Sequence, residues 1–107
     1  MAWTEVIELS RCRDGAGTFV ESAGLELAVF RLREPERVVV IDNACPHASG
    51  NLSGGDVTES RVRCPSHEWE FDLDRGVCTQ SPQVTVQRYP VEIRGGMVWV
   101  DLPDRSV

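Results

Sequence analysis

Two short runs hold the residues best suited to chemistry: Cys45-Pro46-His47 and Cys64-Pro65-Ser66-His67, separated by the sixteen residues 48–63. Together they use both histidines of the chain and two of its four cysteines; Cys12 and Cys78 have no histidine beside them. Each run offers one thiolate and one imidazole on a turn that proline stiffens by fixing its own φ. Two such turns brought together make two sulfur and two nitrogen ligands. Zinc accepts that set tetrahedrally. So does a 2Fe–2S cluster in which His replaces Cys on one iron. The ligand count leaves both open, although a zinc finger usually pairs Cys with Cys and His with His at spacings absent here.

The rest of the composition narrows the setting. At 107 residues and 11.9 kDa the chain reads as one domain, 1–107, long enough to fold without a metal or disulfide staple. Its net charge is -6, and all eleven basic residues are Arg. That balance argues against a nucleic-acid partner, which needs a basic surface, and suits docking of a basic protein through an acidic rim. Residues 1–10 lack a charged lead followed by an apolar run, and no apolar stretch reaches membrane-spanning length. The expected compartment is the cytoplasm, with no membrane partner, where a disulfide framework is disfavoured.

The elements that must position the two runs read as short strands between turn signals, an all-β pattern. Leu25, Leu27 and Val29 alternate after a turn at Ala23-Gly24, and Glu34-Pro35-Glu36 breaks the chain before the apolar run Val38 to Ile41. Val84 and Val86 alternate, Val91 and Ile93 follow Pro90, and Gly95-Gly96 is a two-residue hairpin signal before Val98 and Val100. Trp99 falls on the opposite face. No helical period is sustained. Residues 43–82, rich in Gly, Ser, Pro and Asp, read as an insertion that builds the site.

Cys45-Pro46-His47 and Cys64-Pro65-Ser66-His67, followed by Trp69-Glu70-Phe71-Asp72-Leu73 and Arg75-Gly76, closely resemble the Rieske signature. The resemblance continues through Pro82 to Tyr89-Pro90-Val91-Glu92-Ile93 and covers roughly residues 25 to 102. It implies a Rieske fold, an antiparallel β-sandwich with a small cluster-binding subdomain at about 43–82. It also implies a Rieske-type 2Fe–2S cluster with Cys45 and Cys64 on the buried iron and His47 and His67 on the outer one. Pro46, Pro65, Glu68, Trp69, Phe71 and Pro82 then form its surroundings, Pro82 on a third loop. Trp69 and Phe71 are read as packing under the ligand loop, Cys12 and Cys78 as small hydrophobes or surface thiols. Glu59, Glu70, Asp72 and Asp74 make the neighbourhood acidic.

High-potential members of the family resemble this motif but carry an extra cysteine in each loop. Those positions are Gly50 and Ser66 here, so the inter-loop disulfide cannot form. They also place hydroxyls near the sulfurs, where Trp69 and Phe71 stand. Hydrogen bonds to cluster sulfur raise the potential, so its absence implies a low-potential cluster. With neither a flavin nor a nicotinamide domain, nor a G-x-G-x-x-G fingerprint, the chain is expected to be an electron carrier rather than an enzyme, served by a reductase as donor. The main reading is a ferredoxin component feeding an oxygenase. Alternatives are the small subunit of an NAD(P)H-dependent nitrite reductase, which residues 84–100 also resemble, and a structural zinc or interaction module.

Many relatives have Gly where this chain has Glu68. Either the loop does not need the conformational freedom of Gly, or Glu68 places negative charge beside the outer iron, favouring the oxidised cluster and raising the pKa of the His67 ring. The second reading predicts that Glu68→Gln raises the midpoint potential and shifts its pH dependence. Protein-film voltammetry over a pH series checks this, and two unchanged curves refute it.

Overall fold

A computed structural model describes residues 2–33, 35–46, 50–65 and 69–103. Its regular structure is three antiparallel sheets and two short 3-10 helices, with no α-helix among the described residues. The central sheet has the order β2 (Gly17–Ser22), β3 (Leu25–Leu32), β4 (Arg37–Asp42), β9 (Arg88–Tyr89). A terminal sheet joins β1 (Ala2–Glu8), β11 (Met97–Leu102) and β10 (Val91–Arg94) in that order. A small third sheet is built from β5 (Asp56–Thr58), β6 (Arg61–Arg63), β7 (Glu70–Asp72) and β8 (Val77–Cys78). All four of its strands fall within the stretch expected to build the site.

Leu25, Leu27 and Val29 were expected to mark one buried face. In the structure β3 is buried on both. Leu27 and Val29 pack with Val40, Val98, Val100 and Leu102, while Ala28, Phe30 and Leu32 pack with Val39, Ile41, Val62 and Phe71. Successive strand residues point to opposite faces, so the central sheet is the middle of three layers. This accounts for the unbroken apolar run of β4, since a strand covered on both sides has no face to leave polar. Phe30 and Phe71 are wholly buried, and each such side chain contributes about 1.5–3 kcal/mol through burial.

The turns follow their residues. Ala23-Gly24 and Gly95-Gly96 both have two consecutive positive φ values, the combination a two-residue hairpin of the twisted kind requires. They join β2 to β3 (Ser22 opposite Leu25) and β10 to β11 (Arg94 opposite Met97). Trp99 lies on the outer face of the terminal sheet, where the Arg94 guanidinium rests 4.8 Å from its ring centroid and 5.3 Å from that of Trp3. Val84 and Val86 form no strand of their own. Thr85 between them makes an isolated bridge to Val77.

One ion pair clamps the third sheet to the central one. Arg37 on β4 donates from Nε and Nη2 to the two carboxylate oxygens of Asp74, both at 2.8 Å. Asp74 sits in the β7–β8 turn, where Asp72 Oδ1 accepts the amides of Asp74 and Arg75. The Arg37 hydrogen bond holds the Asp74 carboxyl below its ordinary pKa. A depressed carboxylate stabilises the fold above its unfolded pKa and loses that contribution as pH falls through the folded value. Asp74→Asn is therefore expected to cost about 0.5–1 kcal/mol near neutral pH, the scale of a partly exposed pair. The difference from wild type should close in acid below the usual Asp value of about 3.9. Urea unfolding at several pH values measures it.

Candidate metal centre

Both cysteines of the motif open loops that are closed in the same way. The Cys45 amide donates to the Gly50 carbonyl at 2.8 Å, and the Cys64 amide donates to the Trp69 carbonyl at 2.7 Å. In each case the acceptor lies five residues on. Cys45 and Cys64 are buried, 3% and 2% exposed, in the layer between the central and third sheets. Pro46 and Pro65, one residue later, are exposed. His47, His67 and Glu68 lie outside the described residues, as does Ser66.

The first loop is anchored by a residue that sequence reasoning missed. Asn43, only 1% exposed, follows the apolar run of β4. Its side-chain amide donates to Asn51 Oδ1 at 2.9 Å, and its Oδ1 accepts the Ser53 amide at 3.0 Å. Its backbone completes the anchor, the amide reaching Glu26 O at 3.0 Å and the carbonyl accepting from Leu52 at 2.7 Å. Ala44 and Asn51 form a bridge between the two ends of the loop. The signal in the sequence is a lone amide between four apolar residues and the motif, a place where a buried polar group must find partners. Gly55 fixes the exit from this loop, since a Cβ there would sit 2.2 Å from Arg63 O.

The second loop is bounded by β6 and β7 and underlain by aromatic residues. Phe71 is wholly buried in the same core as the two cysteines, and the half-buried Trp69 packs against that core. Gln80 ties the following loop to it: its Oε1 accepts the Glu70 amide at 3.0 Å, the Thr79 hydroxyl at 3.2 Å and the Cys78 thiol at 3.4 Å. Pro82 is exposed, in the turn closed by the Val84 amide on the Ser81 carbonyl at 2.9 Å.

Cys78 and Cys12 are both buried, in different cores. Burial raises the Cys12 thiol pKa, an effect that Arg31 partly offsets. They are therefore small hydrophobes rather than surface thiols. No disulfide joins any of the four cysteines. The acidic residues near the site are largely engaged in holding it: Asp74 by Arg37, Asp72 by its own turn, and Glu70 by the Thr79 hydroxyl and, at 3.9 Å, by Arg61. Glu59 is exposed at positive φ in the β5–β6 turn.

Two buried thiols in one apolar layer, outside disulfides and on loops closed alike, are a donor set of the soft kind that suits an iron–sulfur group. The model of the Rieske 2Fe–2S domain matches residues 2–90. The chain belongs to that family. The Rieske match begins well before residue 25, where the resemblance of the motifs starts, and stops short of β10 and β11. Membership decides between the two metals that ligand counting left open, and the cofactor is a Rieske-type 2Fe–2S cluster.

The ferredoxin component of the naphthalene 1,2-dioxygenase system of Pseudomonas aeruginosa is 29% identical over 102 residues, covering 94% of this chain and 95% of that one. A ferredoxin of Sphingomonas yanoikuyae B1 superposes with a TM-score of 0.85 at 29% identity, covering 95% of this chain and all of that one. A Mycobacterium tuberculosis structure described as a "putative NADH-dependent nitrite reductase small subunit" gives a TM-score of 0.83 at 28% identity, over 92% and 93% of the two chains. Other relatives are far longer. The Drosophila melanogaster cholesterol 7-desaturase is 34% identical over 84 residues, 78% of this chain, which spans only 19% of that protein.

Asn43→Ala leaves the Ser53 amide and the Asn51 side-chain Oδ1 without their partner, and is expected to cost about 1–3 kcal/mol. Because those bonds anchor the loop that Cys45 opens, iron held there should also be lost faster to a chelator in the folded protein. Absorbance of the iron–chelator complex against time, beside urea unfolding of the holoprotein, checks both.

Proposed function

We propose that Cys45 and Cys64 hold one iron of the cluster and His47 and His67 the other, and that the protein carries single electrons between redox partners. Cys45 and Cys64 support the first part by their shared burial and matched loop closure. The bound cluster supplies a one-electron store; the chain's own residues bury two ligands, close the loops and pack apolar rings beneath them. Residues 43–82 serve as the cluster-binding subdomain of a single domain, with Pro46, Pro65, Pro82, Trp69, Phe71 and Glu68 around the cluster.

The main reading is a ferredoxin component that takes electrons from a reductase and delivers them to an oxygenase. The observation that carries it is the end-to-end match to a dioxygenase ferredoxin of almost the same length. A cytoplasmic carrier fits the expectation from the sequence, and among the described residues no helix is long and apolar enough to cross a membrane. The nitrite reductase small subunit remains the second reading, favoured by the M. tuberculosis structure. Affinity capture from the native host separates them: an oxygenase supports the first, a large sirohaem reductase the second.

Neither Trp69 nor Phe71 offers a hydroxyl to the cluster, so the midpoint should lie near the low end of the family's range, about -150 mV. A potentiometric titration followed by optical spectra should give a reversible one-electron wave there. A clearly positive midpoint contradicts the low-potential reading.

A further inference from the structure

The third sheet does not cover the central sheet to its edge. On β2, Gly17, Phe19 and Glu21 stand directly opposite Phe30, Ala28 and Glu26 of β3. Opposed residues share a face, and this is the face that buries Phe30 and Ala28 in the core with Cys45 and Cys64. At β2 the cover ends. Phe19 is 50% exposed and lines an open groove with Glu26, Asn43, Asn51, Ser53 and Gly54.

Two features set this groove apart from ordinary surface. Glu21 and Glu26 are like charges in direct register, a pairing that costs stability, and among the described residues neither carboxylate has an ion-pair partner. The groove is also rigidly built onto the first ligand loop. A Cβ at Gly17 would meet Ser53 O at 2.7 Å and Phe30 Cε1 at 2.8 Å, so β2 and the Leu52–Gly54 turn lie in close contact. Asn43 holds Asn51 and Ser53 from below, and Asn51 bridges to Ala44 beside Cys45.

We infer that this groove docks a redox partner through a basic side chain lying between Glu21 and Glu26 and an apolar side chain covering Phe19. The inference rests on the electron-carrier reading and names the surface by which the carrier is recognised. A cation between the two carboxylates removes their repulsion, and an apolar cap removes Phe19 from water. Both contacts fall on a wall fastened to the ligand loop, which places the partner beside the cluster's own subdomain.

The holoprotein, reduced with dithionite, can be mixed in a stopped-flow instrument with oxidised cytochrome c, whose exposed haem edge is ringed by lysines. The pair Glu21→Gln/Glu26→Gln should slow the second-order rate about three- to tenfold at low ionic strength, with the difference shrinking in high salt. The pair Glu5→Gln/Glu8→Gln changes net charge equally on the outer face of the terminal sheet and should slow it much less. Phe19→Ser should slow the reaction at both salt concentrations. Oxidation by ferricyanide, itself an anion, should be slowed in none of them, and the midpoint potential should be the same in all. Glu21→Gln/Glu26→Gln removes a repulsion, so its unfolding midpoint should equal or exceed that of wild type. Equal slowing by the two Glu pairs, or no slowing by the groove pair, overturns the inference and leaves the carrier reading intact. A wild-type protein that takes up no electron reversibly overturns both.

Discussion

The bonds from the Cys45 and Cys64 amides to the carbonyls five residues on hold two loops over one apolar layer, and the rest of the fold is arranged to keep that layer closed. The layer is shared. Ala28, Phe30, Val39 and Ile41 form its floor, and Val62, Phe71, Leu73 and Cys78 its roof, so both thiols belong to the protein's own core. Because interiors are packed as densely as organic crystals, side chains set in such a core have little freedom to move. For electron transfer this is useful, since a rigid site has little to reorganise when its charge changes.

Each layer contributes something different. The terminal sheet covers the far face of the central one with Val98, Val100 and Leu102 and carries no part of the site. The third sheet is too small to stand alone, its strands being only two or three residues long. It depends on the shared core, on the bidentate Arg37–Asp74 pair and on Arg88, whose Nε donates to the Leu73 carbonyl at 2.9 Å. Polar fastenings therefore sit at the rim of this sheet and apolar contacts beneath it. The acidic character of the neighbourhood, which on composition alone suggests a docking surface, is at Asp72 and Asp74 largely structural. The carboxylates of Glu21 and Glu26, without an ion-pair partner among the described residues, lie on the central sheet.

The cluster was legible because a mixed Cys/His pair, repeated with proline, has few other uses, and the β10–β11 hairpin because Gly95-Gly96 fits few other turns. Ala23-Gly24 read only as a turn; the structure makes it a hairpin with Ala23 itself at positive φ. β1 and β2 were not legible. Their apolar residues are mixed with Thr and Glu, and β1 shifts register between Glu5 and Ile7, which breaks the two-residue period a strand is read by. The double burial of β3 was hidden for a different reason: Ala28 is small and Phe30 lies just outside the alternating set, so only tertiary packing reveals a second covered face. Val84 and Val86 show the reverse error, alternation without a ladder, since their segment has only the single bridge through Thr85. Asn43 was overlooked as one amide after an apolar run, although its partners lie within ten residues of it.

The central claim is mixed ligation, two cysteines buried in the core and two histidines from the same two loops. Pulsed EPR on the dithionite-reduced holoprotein tests it most directly, because an imidazole ligand leaves a nitrogen coupling that a thiolate does not. Couplings from two nitrogens, one lost in each of His47→Cys and His67→Cys, are the predicted result. A reduced cluster with no nitrogen coupling, or a colourless protein holding zinc and no iron, would contradict the account.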